Sequence, residues 1–245
     1  LSFSNQKVST HTLAVDLHDQ PFRDAEGKLV LRPAGHGALL ANLNELQADI
    51  VFIKNIDNVV PDAYKAPTFR YKKILGGMLV EIQNTIFDFL KLLESESVPE
   101  DRLEEIVSFS KKTLFLECPY RIDQKKEIRQ FLLDKLDRPL RVCGVVRSQG
   151  EPGGGPFWVR SKDGNLSMQI VEQSQMDMSS AGQKQIWNSS THFNPVDLVC
   201  GLKDHRGRPF DLMKFCDPES GSISVKSKDG RSLKALELPG LWNGG

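Results

Sequence analysis

Two short segments near the start of the chain combine residue types that could bind an anionic ligand. The first places His36 between Gly35 and Gly37, directly before leucines with helical spacing. Glycines let a backbone approach a ligand closely, and free N–H groups at a helix start favour an anion or a carbonyl acceptor. An ordinary tight turn between a strand and a helix would use the same residues, so both interpretations stay open.

The second segment, Asn55 to Asn58, directly follows the apolar run 49–53. In open parallel sheets, ligands bind just beyond the carboxyl ends of the strands. Asp57, flanked by Asn55 and Asn58, offers the hard oxygen ligands that Mg²⁺ prefers. An Asx turn or a helix cap is the alternative explanation for these residues.

Taken together, the two segments resemble the UDP-sugar pyrophosphorylase group of nucleotidyltransferases. The resemblance is clearest over residues 33–58, and the rest of the chain is more loosely similar to a bacterial branch of that superfamily. Members of the branch continue past a segment like residues 238–244. The resemblance implies that Gly35, His36 and Gly37 face the nucleotide base.

The resemblance also implies a magnesium ion as cofactor. Asp57 would bind this catalytic Mg²⁺, while Asn55 and Asn58 would shape the turn or contact ribose and phosphate. Similar enzymes carry sugar-facing residues and a second metal-binding group further along the chain. The positions that correspond are His192 and Asn194 for the sugar and Asp197 for the metal, with an Asn-Pro turn as the alternative.

Two further kinds of residue complete the predicted site. Glu172, at the end of the predicted strand 166–171, could accept hydrogen bonds from sugar hydroxyls, or could be a solvated strand end. A transferring phosphoryl group needs cations, and Arg32 and Lys54 lie beside the two strongest motifs. The other basic candidates, each with plain surface charge as the alternative, are Lys7, Arg23, Lys28, Arg147 and Lys203.

One feature of the superfamily is missing. Its members grip the triphosphate with an N-terminal Gly-rich loop that carries Arg and Lys, and this chain has no such loop. Residues 149–156 are rich in glycine but lack a basic residue, so we predict a mobile loop there. The chain starts at Leu1 and stops soon after an apolar stretch, so we expect a fragment without the N-terminal loop, or a chain that is not catalytic alone.

The pattern of apolar residues predicts an α/β fold. A strand at 29–35, a helix at 36–47 and a strand at 49–53 indicate a βαβ unit and a parallel sheet. Three helices follow, at 69–96, 99–112 and 123–136. Beyond Pro139 the signals are strands and hairpins: a strand at 140–147 and turns at 162–165 and 227–230.

These elements lead to a specific fold prediction: a GT-A-like nucleotidyltransferase mixed sheet with flanking helices, a helical insertion and a hairpin-rich C-terminal half. Residues 1–68 would belong to a nucleotide-binding α/β core. Residues 69–138 would form the insertion, and residues 139–245 the β-rich, sugar-binding half of the same domain.

Composition excludes several classes of protein. Of 245 residues, 39% are hydrophobic, and 32 basic residues balance 32 acidic ones. A net charge of zero argues against a nucleic-acid-binding protein, which normally shows a basic excess. The chain contains no run of about 18 apolar residues and no signal-peptide pattern, so we expect no membrane span and a cytoplasmic protein. The four cysteines are too far apart for a zinc site, and we expect them to be reduced and mostly buried.

The predicted function is therefore Mg-dependent transfer of a nucleotidyl group from a nucleoside triphosphate to a sugar 1-phosphate, with release of pyrophosphate. The alternatives are a glycosyltransferase of related fold, a non-catalytic protein that binds nucleotide sugars, and an interaction module whose motifs are only turns. The sequence leaves the sugar, the base and the oligomeric state open.

Overall fold

The protein is a mixed α/β structure with small antiparallel sheets. The structure, a computed structural model, describes residues 1–151, 153–160 and 164–240. The strands in these ranges are β1 (Thr12–Leu13), β2 (Leu31–Arg32), β3 (Ile50–Lys54), β4 (Leu140–Cys143), β5 (Val146–Arg147), β6 (Gly155–Arg160), β7 (Leu166–Val171), β8 (His192–Phe193), β9 (Asp197–Gly201), β10 (Ser222–Lys228) and β11 (Arg231–Glu237). The helices are α1 (Leu40–Leu43), α2 (Lys65–Leu93), α3 (Glu100–Thr113), α4 (Lys125–Leu136) and α5 (Ala181–Asn188).

The largest sheet in the described ranges has three strands in the order β3-β9-β4, and both pairs are antiparallel. The predicted βαβ unit and parallel sheet are therefore wrong, because β2 pairs with β1 and not with β3. The fully buried central strand is β9, whose Leu198 and Val199 are inaccessible to solvent. β3 lies at the edge of this sheet and leaves Phe52 47% exposed, although the run 49–53 predicted burial on both faces.

The three predicted helices are confirmed, and α2 begins earlier than predicted, at Lys65. The apolar stripe of its C-terminal half is buried, with Leu79 and Leu93 fully so. This half packs with α3 and α4 around Leu103 and Leu132, forming the helical cluster. The predicted helix 36–47 is shorter, because a 3₁₀ turn at His36–Leu39 leads into α1, which ends at Leu43.

The N-terminal segment packs against the last hairpin. Ala14, Phe22 and Val30 form a small buried cluster with Leu233 and Ala235 of β11. Backbone hydrogen bonds between Val15 and Lys234 join the two segments in both directions, at 3.0 and 2.7 Å. Residues separated by most of the chain therefore share one core.

Three tight turns share one design. An Asp carboxylate accepts hydrogen bonds from the backbone N–H groups two and four residues later, and the residue three positions later has a positive φ. The capping residues are Asp16, Asp24 and Asp204, and the positive-φ residues are Asp19, Gly27 and Gly207. Asp and Gly suit these positions because a short carboxylate mimics a turn carbonyl and glycine adopts positive φ without strain.

The predicted hairpins are confirmed as β6–β7 and β10–β11. The second turns through Asp229 and Gly230, both at positive φ, as two-residue hairpin turns require. The first turn was predicted at residues 162–165, of which Lys162 and Asp163 lie outside the described residues. The predicted strand 140–147 is divided into β4 and β5 by a break at Gly144, whose N–H donates to the Asp197 carbonyl.

In the described ranges, no helix has the length and apolar character needed to cross a membrane. The division of the chain into a core, an insertion and a β-rich half stays a prediction.

Candidate functional site

The Gly-His-Gly turn is built against the chain's own C-terminal segment. Gly35 has a φ of 72°, and its carbonyl accepts a hydrogen bond of 2.7 Å from Gln6 Nε2. A Cβ at Gly37 would lie 2.6 Å from the Leu238 carbonyl carbon. The glycines therefore allow close backbone packing at this turn. Their contact with a nucleotide base stays a prediction.

His36 projects from this turn towards two carboxylates. Its Nε2 lies 3.7 Å from Glu172 Oε1, and each of the two side chains is about a third exposed or less. Although burial acts to raise it, hydrogen bonds from Ser224 and Lys226, together with the charge of His36, hold the pKa of Glu237 below its usual value. His36 therefore links the turn to the residues of a neighbouring pocket.

That pocket has a volume of about 610 Å³ and brings Glu172 and His192 together. One wall carries the rings of Phe157 and Trp187, stacked at 5.6 Å with an interplanar angle of 16°. We call this cavity the Glu172 pocket. It combines a carboxylate, an imidazole and an aromatic face, which is the mixture of groups that orients a small polar ligand.

Each of the two polar residues is held in place by its own local structure. Glu172 directly follows β7 and caps a 3₁₀ turn, in which it exchanges hydrogen bonds with Gln175 in a capping box. His192 lies on β8 opposite Arg147, and its Nδ1 is 2.8 Å from Thr191 Oγ1. Both side chains therefore reach the pocket from anchored backbone.

The glycine-rich segment helps to form the pocket. Gly154 and Gly155 are buried, and a Cβ at Gly155 would lie 2.8 Å from the His192 carbonyl oxygen. The prediction of a mobile loop is wrong for Gly155, because it begins β6 and its close packing on β8 requires glycine. Gly154 packs closely on β7, where a Cβ would lie 2.9 Å from Ile170 Cγ2. Pro152 of this segment lies outside the described residues.

Asn194 is positioned for a structural task. It is 2% exposed, its Nδ2 donates to the Gly144 carbonyl at 2.6 Å, and its Oδ1 accepts from the Val196 N–H at 3.0 Å. Its own N–H donates to the Gly154 carbonyl at 2.7 Å. Asn194 thus connects, through its backbone and its side chain, the glycine-rich segment with the residues that precede β5 and β9. Its predicted contact with a sugar stays a prediction.

A charged cluster lies at the start of β9. Asp197 accepts from Lys54 Nζ at 2.7 Å through one oxygen and from Lys72 Nζ at 2.6 Å through the other. Although burial acts to raise it, these hydrogen bonds and the two lysine charges hold the pKa of Asp197 below its usual value. We call Lys54, Lys72 and Asp197 the lysine cluster.

The Asn55–Asn58 turn lies beside this cluster. The Asn55 N–H donates to the Val196 carbonyl, and Asn58 Nδ2 donates to the Pro195 carbonyl. Asp57 is exposed, with Asn55 Nδ2 at 3.4 Å from its carboxylate. The turn is therefore docked on the segment that joins β8 to β9.

Asp197 does not fit the second metal-binding group that the resemblance implies, whereas the Mg²⁺ contact of the exposed Asp57 stays a prediction. Both carboxylate oxygens of Asp197 accept from ammonium groups. In the described part of the chain, no three His, Cys, Asp or Glu side chains are grouped so as to hold a metal ion. The arrangement at Asp197 supplies positive charge from lysine in the place where a metal was predicted.

The other basic candidates are scattered. Arg32 lies on β2 opposite Thr12, and none of its described contacts joins it to Lys54 or Asp57. Lys7 pairs with Glu45, and Lys203 pairs with Asp49 at 2.6 Å. Lys28 pairs with Glu26, the Arg23 guanidinium donates to the Gly27 carbonyl, and Arg147 faces His192 across β5 and β8.

Cys143 and Cys200 offer no activated thiol. All four are free, Cys200 is buried, and the others are half-buried. Burial raises the pKa of the Cys200 thiol to about 12 and also raises that of Cys143. Both thiols therefore stay protonated at neutral pH.

Sequence reasoning missed three residues of these two sites. Phe157 and Trp187 supply the aromatic wall, and Lys72 completes the lysine cluster. Ser180 caps α5 by accepting from the Gln183 N–H, so a Ser before a short helical pattern could have indicated the helix that carries Trp187. Lys72 gives no such signal, because nothing in the sequence of α2 tells which of its lysines faces the sheet.

The fold is that of an α/β protein with small antiparallel sheets. Its site combines a polar pocket that has an aromatic wall with the carboxylate of Asp197, which two lysines bind close to His192 in the sequence. The whole chain, residues 1–245, matches the family described as "Domain of unknown function (DUF4301)", and the protein belongs to that family. No curated protein and no solved structure gives a significant match.

Proposed function

We propose that the Glu172 pocket binds the sugar of a sugar phosphate or a nucleotide sugar. The observation that carries the proposal is the meeting of Glu172 and His192 beside the stacked rings of Phe157 and Trp187. Carboxylate and imidazole groups hydrogen-bond sugar hydroxyls, and an aromatic face covers the apolar side of a sugar ring. A volume of about 610 Å³ accommodates a hexose.

Isothermal titration of the chain with a panel of nucleotide sugars and sugar 1-phosphates tests this proposal. We expect one class to bind, and both Glu172→Gln and Trp187→Ala to weaken that binding by about tenfold or more. Trp158→Ala is the matched control, because Trp158 contacts Phe115 edge-to-face and does not line the pocket. Equal affinity in all three variants would refute the assignment of this pocket.

A second candidate function, favoured by the lysine cluster, is nucleotidyl transfer. An oxygen of a sugar 1-phosphate would attack the α-phosphorus of a nucleoside triphosphate. The bond from that phosphorus to the β-phosphate oxygen would break, and pyrophosphate would leave with the electron pair. Lys54 and Lys72 offer cations of the kind that stabilise such a transition state, and four residues separate their partner Asp197 from His192 of the pocket.

The variant Asp57→Ala distinguishes nucleotidyl transfer from sugar binding without catalysis. Asp57 is exposed, so the variant should fold normally. Because the resemblance gives Asp57 the role of metal ligand, we expect the variant to lose pyrophosphate release while sugar binding persists. Release of a nucleoside diphosphate instead of pyrophosphate would identify a glycosyltransferase. Full activity of the variant would remove Asp57 from the reaction and leave the binding proposal intact.

A further inference from the structure

The charge of the Glu172 pocket is unusual for a site that handles phosphorylated sugars. Glu151 and Glu172 both line it, and its described lining includes no lysine or arginine. The carboxylate of Glu151 accepts from the Gln149 N–H at 2.6 Å, which holds its pKa below the usual value. Glu172 faces His36, the imidazole noted above, at 3.7 Å.

The remaining polar side chains of the lining, besides the imidazole of His192, are hydroxyls and amides. They are the side chains of Ser148, Gln173, Ser174, Asn188 and Ser190. The strong cations next to the lining in the chain order, Arg147 and Lys184, do not line the cavity. Lys54 and Lys72 are bound to Asp197 and do not line it either. A phosphate or carboxylate inside the pocket would therefore meet two negative groups and no lysine or arginine of the described lining.

We infer that the pocket selects its sugar by charge: it takes a ring that carries hydroxyl or amine donors and rejects a ring that carries an anionic group. This inference rests on the proposed function, since it names the class of sugar that the pocket accepts. Neutral hexoses and amino sugars belong to that class, whereas uronic acids do not. The phosphate of the ligand stays outside the cavity.

The selection follows from hydrogen-bond chemistry and from Coulomb repulsion. An ionised carboxylate only accepts hydrogen bonds, so it pairs with hydroxyl and ammonium groups and finds no donor on the carboxylate group of a uronate. Two like charges within a partly desolvated pocket repel each other. After screening by salt, we expect the uronide to bind about tenfold more weakly than the neutral sugar. An ammonium group on the sugar increases the affinity for the same reason, because it forms charge-assisted hydrogen bonds with these carboxylates.

The test compares three probes that differ in one substituent: methyl glucoside, methyl glucosaminide and methyl glucuronide. Each is titrated into the full chain at neutral pH and followed by the fluorescence of Trp187 or by NMR, and the corresponding UDP sugars are titrated in parallel. We expect the amino sugar to bind at least as tightly as the neutral one and the uronide to bind about tenfold more weakly.

Charge-neutral variants show whether the carboxylates cause this order. Glu172→Gln keeps the oxygen that caps the 3₁₀ turn at Gln175 and removes only the charge. We expect Glu172→Gln and Glu151→Gln each to reduce the difference in affinity (the gap) between the glucuronide and the glucoside. Glu96→Gln is the control, because Glu96 is exposed and does not line the pocket, and it should leave the gap unchanged.

The outcomes are distinct. A uronide that binds as tightly as the glucoside, or a gap that persists in both glutamine variants, would overturn the inference while sugar binding stands. No binding of any probe in either series would overturn the proposed function, and the inference would fall with it.

Discussion

Asp197 holds two lysines at the start of β9, and all three side chains are no more than 23% exposed. Asp197→Ala would leave two partly buried ammonium groups without their shared acceptor. We expect the free energy of unfolding to fall by about 1–2 kcal/mol, below the cost of breaking a fully buried pair. Urea denaturation measures this, and the double variant with Lys72→Met should recover part of the loss. Unchanged stability would show that solvent already screens the cluster.

Asp204 makes stability depend on pH. Its carboxylate accepts from the N–H groups of Arg206 and Arg208 and from the Arg208 side chain, and only 7% of the side chain is exposed. Although burial acts to raise it, these bonds hold the pKa of Asp204 below its usual value.

A carboxyl group with a lowered folded-state pKa stabilises the fold above its unfolded pKa, and this stabilisation is lost as pH falls through the folded pKa. We therefore expect the free energy of unfolding to decline as pH drops below about 4. Denaturation curves from neutral to acid pH check this. Asp204→Asn should be less stable at neutral pH and should show a shallower decline, and an identical decline would assign the effect to other carboxyl groups.

Single residues of the site were partly predictable. Glu172 and His192 could be named because each stands at or next to a strand with polar side chains, and the structure places both in one pocket. The lysine partners of Asp197 could not be named. Lys72 is 125 positions away from Asp197, and only the packing of α2 on the sheet brings the two together.

At the level of elements, alanine substitutions at two glycines measure how closely neighbouring segments of the backbone pack. Gly37→Ala would place a Cβ 2.6 Å from the Leu238 carbonyl carbon, so backbone must move, and we expect a loss of about 2–3 kcal/mol in the free energy of unfolding. Gly77→Ala is the matched control, because nothing lies within 4 Å of a Cβ there.

Gly77 lies in the interior of α2, so alanine should raise stability by about 0.5–1 kcal/mol through helix propensity alone. Thermal and urea unfolding of both variants measure the contrast. Equal effects of the two substitutions would mean that the contact between the Gly-His-Gly turn and residues 238–240 carries no constraint.

The elements themselves differ in how far the sequence predicts them. The helices α2, α3 and α4 follow from local apolar periodicity, and the turn at Asp229 and Gly230 follows from local backbone preference. Strand partners are not local. β3 has the apolar run of a central strand, yet it lies at the edge because β9, almost 150 residues later, occupies the middle of the sheet. The parallel prediction failed because periodicity does not encode which strands meet.

Across the whole molecule, the helical cluster and the Glu172 pocket use different residues. Leu132 is fully buried among α2, α3 and α4 and does not line the pocket. We expect Leu132→Ala to lower the free energy of unfolding by about 3 kcal/mol through a cavity, with no change in the affinity of the folded protein for its sugar. Titration below the melting temperature tests the second part, and a large loss of affinity would show that the cluster positions the pocket.

The packing of the N-terminal segment on the last hairpin has a consequence for biosynthesis. Thr12 donates a hydrogen bond to the Leu236 carbonyl, 224 positions away. Because a ribosome adds about 5–20 residues per second, Ala14, Phe22 and Val30 leave the exit tunnel on the order of 10 to 40 seconds before β11 can cover them. During that interval the nascent chain presents an incomplete core, so this region reaches its native state only after translation of the hairpin.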